Sequence, residues 1–303
     1  MSFLLRTGSA KGMALIAVLW ITSLLALLAA GVGASGRTVS RLAFNSLENA
    51  RARLAADAGV QQAIYDLLVN VERRRWRSDG VLRGDGVLEQ ASVQFQVRDE
   101  DGKVDLNAAP PELLLGLFRA AGFDDERAES LAAAVLDYRD DDSDVTPSGA
   151  EDPDYQAAGL PHGAADRSFR NLIELGDVLG VSDAVYDRVA PHLTIYSDAE
   201  GVDIFRASKT VLEALPGMTP EAMETILAAA DGPSDVDPLF SLPEEVTAPF
   251  EDYVLPSREL IFEIQAVGRS EGGGQFVRKA VVALDGGRRA LPFTIYDWRR
   301  GYL

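Results

Sequence analysis

Residues 13–32 read Met13-Ala-Leu-Ile-Ala-Val-Leu-Trp-Ile-Thr-Ser-Leu-Leu-Ala-Leu-Leu-Ala-Ala-Gly-Val32, about 20 mostly apolar residues and enough to cross a bilayer core as a helix. No charged residue occurs between Lys11 and Arg37. Arg6 and Lys11 precede the run without an accompanying acid, a bias that keeps the N-terminus in the cytoplasm and puts the bulk of the chain on the other side. A cleaved secretory signal has an apolar region of about 7–15 residues and a small-residue cleavage site behind it. The present run is longer and passes straight into a helical pattern.

The alternative is a cut ahead of the run, between Gly12 and Met13, which leaves the membrane helix in the mature protein. This junction resembles the cleavage site of type IV prepilins. Beyond the run, Val39, Leu42, Leu47, Leu54, Ala55, Ala58, Ala63 and Leu67 keep helical apolar spacing, with no proline before Pro110. The spacing allows either a membrane helix followed by a separate amphipathic helix or one helix from Met13 to about Val71, roughly 90 Å long, its lower part in lipid and its upper part packed on a globular head.

The 303-residue chain has room for about two ordinary domains, and 47% hydrophobic residues supply the cores for them. With 29 Lys and Arg against 47 Asp and Glu, the formal net charge is −18, which disfavours binding to a nucleic-acid backbone. The absence of cysteine excludes disulfides, thiolate metal sites and cysteine nucleophiles. Two histidines, His162 and His192, leave little material for a zinc centre or a Ser-His-Asp triad.

Ser92-Val-Gln-Phe-Gln-Val-Arg98 alternates apolar and polar residues, the period of a half-buried strand, and Asp99–Gly102 reads as a turn. Near the other end, 259–268 and 275–284 flank Ser270-Glu-Gly-Gly-Gly274 as a hairpin, with Leu260, Phe262, Ile264 and Ala266 on one face. These strands are expected to share one antiparallel sheet. The fold class is therefore α+β: a leader over 1–12, a transmembrane and stalk helix over 13–71, and a head from 72–106 and 257–303, interrupted by a mainly helical insert over 107–256. Two similar stretches, from Val104 to Phe118 and from Val202 to Pro216, each suggest a short helix, a turn and a second helix, as in helix-hairpin-helix-like (SAM-like) repeats. In a DNA binder such turns present backbone N–H groups to phosphate, but Glu213, Glu221 and Glu224 surround the second one.

From Asp137 to Asp154 there are eight carboxylates and one cation, Arg139. Two unit charges about 5 Å apart repel by roughly 3 kcal/mol at an effective dielectric near 20, so an ordered loop of this kind needs either full solvation or a bound cation. Asp140, Asp142, Asp144 and Glu151 fall at positions 1, 3, 5 and 12 of an EF-hand-like loop, with the Thr146 carbonyl at position 7. Val145 replaces the glycine such a loop needs, and Pro153 is expected to interrupt the following helix. Three readings follow from the residues: a solvated loop, a calcium site that includes Asp140, Asp142, Asp144, Glu151 and Asp152, or a catalytic carboxylate pair.

The succession Asp101-Gly-Lys-Val-Asp-Leu-Asn107, Leu136-Asp-Tyr-Arg-Asp-Asp-Asp142, Gly149-Ala-Glu-Asp152 with Tyr155, and Glu174-Leu175 before Val178-Leu-Gly180 resembles the general secretion pathway protein K family, the large minor pseudopilins of type II secretion. The resemblance implies prepilin-peptidase cleavage after Gly12, N-methylation of Met13, and a single-pass inner-membrane protein with a periplasmic pilin head. It also implies calcium beside the Gly149–Asp152 segment. The partners it implies are the I- and J-type minor pseudopilins, the major pseudopilin, the prepilin peptidase and the inner-membrane assembly platform. Most pilins carry glutamate at mature position five; this chain has Ala17, as the family pattern expects of a subunit at the pseudopilus tip. It departs from the pattern at Tyr138, where tryptophan is frequent, and at Ile204-Phe205, where an asparagine is frequent. The competing functional class is a membrane-anchored minor type IV pilin or helix-hairpin-helix receptor for adhesion or DNA capture.

Overall fold

A computed structural model describes residues 10–69, 80–230, 242–256, 258, 260–284 and 291–301. Residues 1–9 of the leader, 70–71 at the expected end of the stalk and 72–79 of the expected head lie outside the described residues. Helix α1 (Ala10–Val69) is unbroken, so Lys11-Gly12-Met13 already lies in helical backbone. Over Met13–Ala30 its mean hydropathy is 2.5 and none of it is buried, a helix long and apolar enough to cross a membrane. Farther along, Ala52, Ala55, Ala56, Val60, Ala63, Ile64 and Leu67 are buried at three- and four-residue spacing, the stripe that docks α1 on the head.

Strands β1 (Val81–Leu88) and β2 (Ala91–Asp99) follow, then the two-residue β3 (Val104–Asp105). The insert holds α2 (Pro111–Ala120), α3 (Asp125–Arg139), α4 (Asp152–Ala157), α5 (Asp183–Val189), β4 (Leu193–Thr194), α6 (Lys209–Ala214), α7 (Pro220–Ala230) and α8 (Glu244–Thr247). Strands β5 (Ile261–Ser270), β6 (Gln275–Leu284) and β7 (Phe293–Arg300) complete the chain. The sheet order is β1-β2-β5-β6-β7, antiparallel throughout, with the insert spliced between the neighbours β2 and β5. Val97 opposes Ile264 and Phe95 opposes Ala266, and this apolar face receives α1. Helix and sheet meet closely: a Cβ on Gly268 would lie 2.0 Å from the Ala52 carbonyl oxygen.

The alternation read over 92–98 is β2, and the hairpin read over 259–284 is β5–β6. Leu260 departs from the expected face; it precedes the strand and is 44% exposed. Strands β1 and β7 were not anticipated. In β1, glycine interrupts the apolar pattern, because the Phe95 ring of β2 occupies the space where a Gly84 Cβ would lie, 2.2 Å away.

Buried apolar residues form two clusters, one under α1 in the sheet and a larger one inside the insert. Within the insert, α2–α3 and α6–α7 are each joined by a turn with glycine in the left-handed region, Gly122 at φ +87° and Gly217 at φ +83°. Gly116 lets α2 press on α6: its Cβ would lie 1.9 Å from the Ala214 carbonyl oxygen. Parallel pairing of β3 with β4 and of Val202 with Val254 closes the insert at its base.

Candidate functional site

The acidic segment begins in the last turn of α3. Asp137 is fully buried there, and both of its carboxylate oxygens accept from the Thr146 N–H at 3.3 Å. The chain must pass very near it, since a Cβ on Gly149 would lie 2.0 Å from Asp137 Oδ2. Arg139, the one cation of the run, feels the charge of Asp140 but spends its hydrogen bonds elsewhere. Its guanidinium donates to the carbonyls of Leu106 and Ala109 at 2.5 and 2.7 Å, bracing the start of α2.

Glu151 is 2% exposed and precedes α4, its N–H donating to Asp154 Oδ2 at 3.0 Å. Pro153 does not interrupt that helix, contrary to the sequence expectation. It sits in the first turn, where a missing N–H leaves no intrahelical bond unmade. Burial, reinforced by Asp166, Asp137, Asp140 and Asp152, raises the Glu151 carboxyl to about 7. Burial followed by Asp142 and Asp137 raises Asp140. Three buried oxygens here, Asp140 Oδ1, Thr146 Oγ1 and Glu151 Oε1, have no hydrogen-bond partner.

Of the residues expected to hold calcium, Asp140 and Glu151 come together, Asp142 flanks Asp140, and Asp152 flanks Glu151. Asp144 does not join them. It is exposed, and its N–H donates to Asp142 Oδ1 at 2.8 Å in a local turn. The Thr146 carbonyl accepts from the Gly149 N–H at 2.9 Å. The residues expected to hold calcium did not include two carboxylates that bear on Glu151: Asp137, counted in the acidic run, and Asp166, which lies outside it and whose backbone holds φ +49°. Aspartate tolerates that conformation better than most residues, which was the available signal. An all-oxygen set with orphaned buried acceptors suits a hard cation such as calcium. Among the described residues, however, no three carboxylate or imidazole groups already stand at ion-holding spacing.

A second polar assembly lies where the insert leaves the sheet. Asp99 ends β2, and the buried turn Glu100–Gly102 follows it. Arg258, just before β5, makes a two-pronged pair with Asp101 and donates to the Ser197 carbonyl at 2.8 Å. Lys103 joins Glu100 at 2.7 Å and Glu263 of β5 at 3.3 Å. The Lys103 ammonium holds Glu263 down at about 2, whereas burial raises Glu100 despite the same partner. Burial and the neighbouring Asp101 push Asp99 well up. Asp105 accepts from Asn107 N and Ala108 N in a turn and, through its other oxygen, from Ser197 Oγ and Asp198 N. The motif over 101–107 therefore fastens the insert to the sheet at both of its crossings.

Residues 91–198 match the family model described as type II secretion system (T2SS), protein K. The type II secretion system protein K of Pectobacterium carotovorum subsp. carotovorum is 31% identical over 96 residues, 31% of this chain and 29% of that protein. Its counterpart in Klebsiella pneumoniae is 24% identical over 206 residues, covering 62% of this chain and 63% of the relative. The chain thus spans less than two thirds of these relatives' lengths. A chain in the crystal structure of the GspK-GspI-GspJ complex of the enterotoxigenic Escherichia coli type 2 secretion system superposes with a TM-score of 0.61 at 20% identity, covering 89% of this chain and all of that one, a likeness of fold.

Proposed function

We propose that the chain belongs to the type II secretion system protein K family, whose model it matches over residues 91–198, and that it is a non-enzymatic minor pseudopilin that works at the tip of the pseudopilus. In this reading it is anchored once in the inner membrane with its head in the periplasm, starts assembly with the I- and J-type minor pseudopilins, and supports export of folded proteins across the outer membrane. The major pseudopilin and the inner-membrane assembly platform are its further partners, and prepilin peptidase cuts after Gly12, leaving Met13 to be N-methylated. The observation that carries the reading is the single helix α1, exposed and apolar over Met13–Ala30 and buried against a five-stranded sheet over Ala52–Leu67. Such an element can link a membrane-embedded base rigidly to a periplasmic head.

Calcium is part of the proposal. Asp137, Asp140, Glu151 and Asp166, with Asp142 and Asp152 at the margins, would hold the ion and lose their mutual repulsion to it. Because these groups do not yet stand at ion-holding spacing, binding contracts the loop. The two helix–turn–helix pairs are read as helix-hairpin-helix-like repeats used for packing, since α2 lies on α6 through Gly116. Deleting the gene in its host and restoring it tests the reading. Loss of export of secreted proteins, regained with the full chain and accompanied by co-purification with the I- and J-type minor pseudopilins, is the expected result. Undisturbed export in the deletion strain refutes it.

A further inference from the structure

At one corner of the sheet, three guanidinium groups gather around a single ring. Arg53 of α1, Arg278 of β6 and Arg300 of β7 lie 6.0, 5.0 and 5.4 Å from the centre of Phe276, and Arg278 is also 4.9 Å from the centre of Trp298. The register produces this gathering: Arg278 opposes Arg300 and Ala280 opposes Trp298, so these side chains share the face on which α1 lies. Arg278 is buried and pairs with Asp57 at 2.6 Å; Asp57 also lies 3.9 Å from Arg53. Among the described residues, Asp57 pairs with two of the three guanidinium groups, Arg278 and Arg53, and no ion pair is seen for Arg300, so the corner is locally basic in a chain of formal charge −18.

Arg278 explains itself through Asp57. Arg53 and Arg300 do not need to be here for the fold, because both are exposed and like charges brought together repel. Trp298 is 37% exposed beside them and β7 is an edge strand, which adds Ile295 at 38% exposure to the same border. Arginine and tryptophan are the residues that most often carry the energy of protein interfaces, and an edge strand offers backbone groups to a partner. A lipid headgroup cannot reach this corner, since Arg53 stands about 35 Å along the helix from Ala30.

We propose that the corner formed by Arg53, Arg300 and the outer edge of β7 docks a carboxylate-bearing segment of a neighbouring minor pseudopilin. The two arginines take its carboxylates, and Trp298 takes its apolar side. The partner's identity rests on the function proposed above; the surface and its charge preference come from the geometry.

The full chain is co-expressed with the I- and J-type minor pseudopilins and purified in detergent. Association is measured for wild type, for Arg53→Glu/Arg300→Glu, for Arg53→Lys/Arg300→Lys and for Lys209→Glu, a charge change elsewhere on the insert. The glutamate pair is expected to weaken association at least tenfold at 0.1 M salt, and the lysine pair and Lys209→Glu by no more than about threefold, with wild-type binding falling as salt screens it. Should the glutamate pair lower the melting temperature, Arg53→Gln/Arg300→Gln replaces it. Because the chain has no cysteine, Ile295→Cys carries a unique photo-crosslinker, expected to capture a segment containing Asp or Glu from one of the two partners. Unchanged affinity in the charge variants, capture of a second copy of this chain, or capture of a segment without carboxylates overturns the docking surface while the pseudopilin reading stands. Failure of wild type to associate with either partner overturns both.

Discussion

Without a cation, the acidic loop is a pH-sensitive element whose direction follows from Glu151. Its carboxyl is raised from 4.5 to about 7, chiefly by burial and then by Asp166, Asp137, Asp140 and Asp152. A carboxyl with a folded value above its unfolded one favours the folded state fully below the unfolded value, and that contribution disappears as pH rises through the folded value. For a shift from 4.5 to 7, linkage gives a loss of about 2.5 kcal/mol between pH 5 and pH 8. Asp140, Asp99 and Glu100 are raised too, so the wild-type slope alone does not isolate Glu151. The informative quantity is the difference from Glu151→Gln, which keeps the shape and removes the titration. In chelator-treated full-length protein in detergent, the midpoint of thermal unfolding should fall between pH 5 and pH 8 by on the order of 5 °C more in wild type than in Glu151→Gln. At pH 8, a hundredfold excess of calcium over its dissociation constant should restore about 2.7 kcal/mol to wild type. It should restore far less to Glu151→Gln. Magnesium, which gives up its waters reluctantly, should do little. Parallel pH slopes for the two proteins would refute the assignment of Glu151, and a wild-type midpoint indifferent to millimolar calcium would return the segment to a solvated acidic loop.

Arg258→Ala strands Asp101, which is 4% exposed, and should cost about 2–4 kcal/mol in denaturant unfolding. A loss under about 0.5 kcal/mol would show that the clasp at the base of the insert is ornamental. Ala17→Glu puts a carboxylate in the apolar stretch of α1 at about 2.5–3.5 kcal/mol on insertion scales, and at a tip no amine lies above to pair with it. Secretion in a complemented deletion strain should drop; full secretion removes this argument for the tip. N-terminal sequencing of membrane-extracted protein should begin at Met13, the loss of Arg6 and Lys11 taking the formal charge from −18 to −20. A sequence starting at Met1, or beyond the apolar run, contradicts processing at Gly12.

The long helix was legible because its evidence is one-dimensional: an uncharged run sets an apolar helix long enough to cross a membrane, and apolar spacing without proline sets its continuation. Strand β2 was legible for the same reason, Val93, Phe95 and Val97 alternating with polar residues. Strand β1 was not, since Gly84 and Gly86 are there to admit side chains of β2, a requirement that exists only once the strands are paired. The acidic segment was legible as a region, while which of its carboxylates gather was not. Counting along a loop gave weight to Asp144, which the chain turns outward, and ignored Asp137 and Asp166, which lie 29 positions apart and meet only through the fold. Arg139 illustrates the same limit: sequence proximity suggests a counter-ion, whereas the structure spends its donors on two carbonyls 30 and 33 residues away.

The polar ties between stalk, sheet and insert form one route from α1 to the far lobe. Buried Glu48 of α1 accepts from the Gly272 N–H at 2.8 Å and so holds the β5–β6 turn, while Asp57 holds β6 through Arg278. At its other end β5 carries Glu263, which meets Lys103, and Arg258 just ahead of it meets Asp101. Several of these groups are nearly fully buried, so each tie resists separation more strongly than an exposed ion pair, because parting it leaves a charge without water. A push along α1 is therefore delivered to both ends of β5 and through its clasp to the insert, which should move with the helix as one piece. The polar contacts of the acidic loop run mainly within the insert instead, from Thr146 to Asp137 and from Arg139 to Ala109, with one bond to Leu106 at the insert's edge. Calcium should accordingly reshape the surface of the insert without loosening it from the stalk, so calcium-stripped protein should lose loop order first and keep the sheet–insert clasp intact.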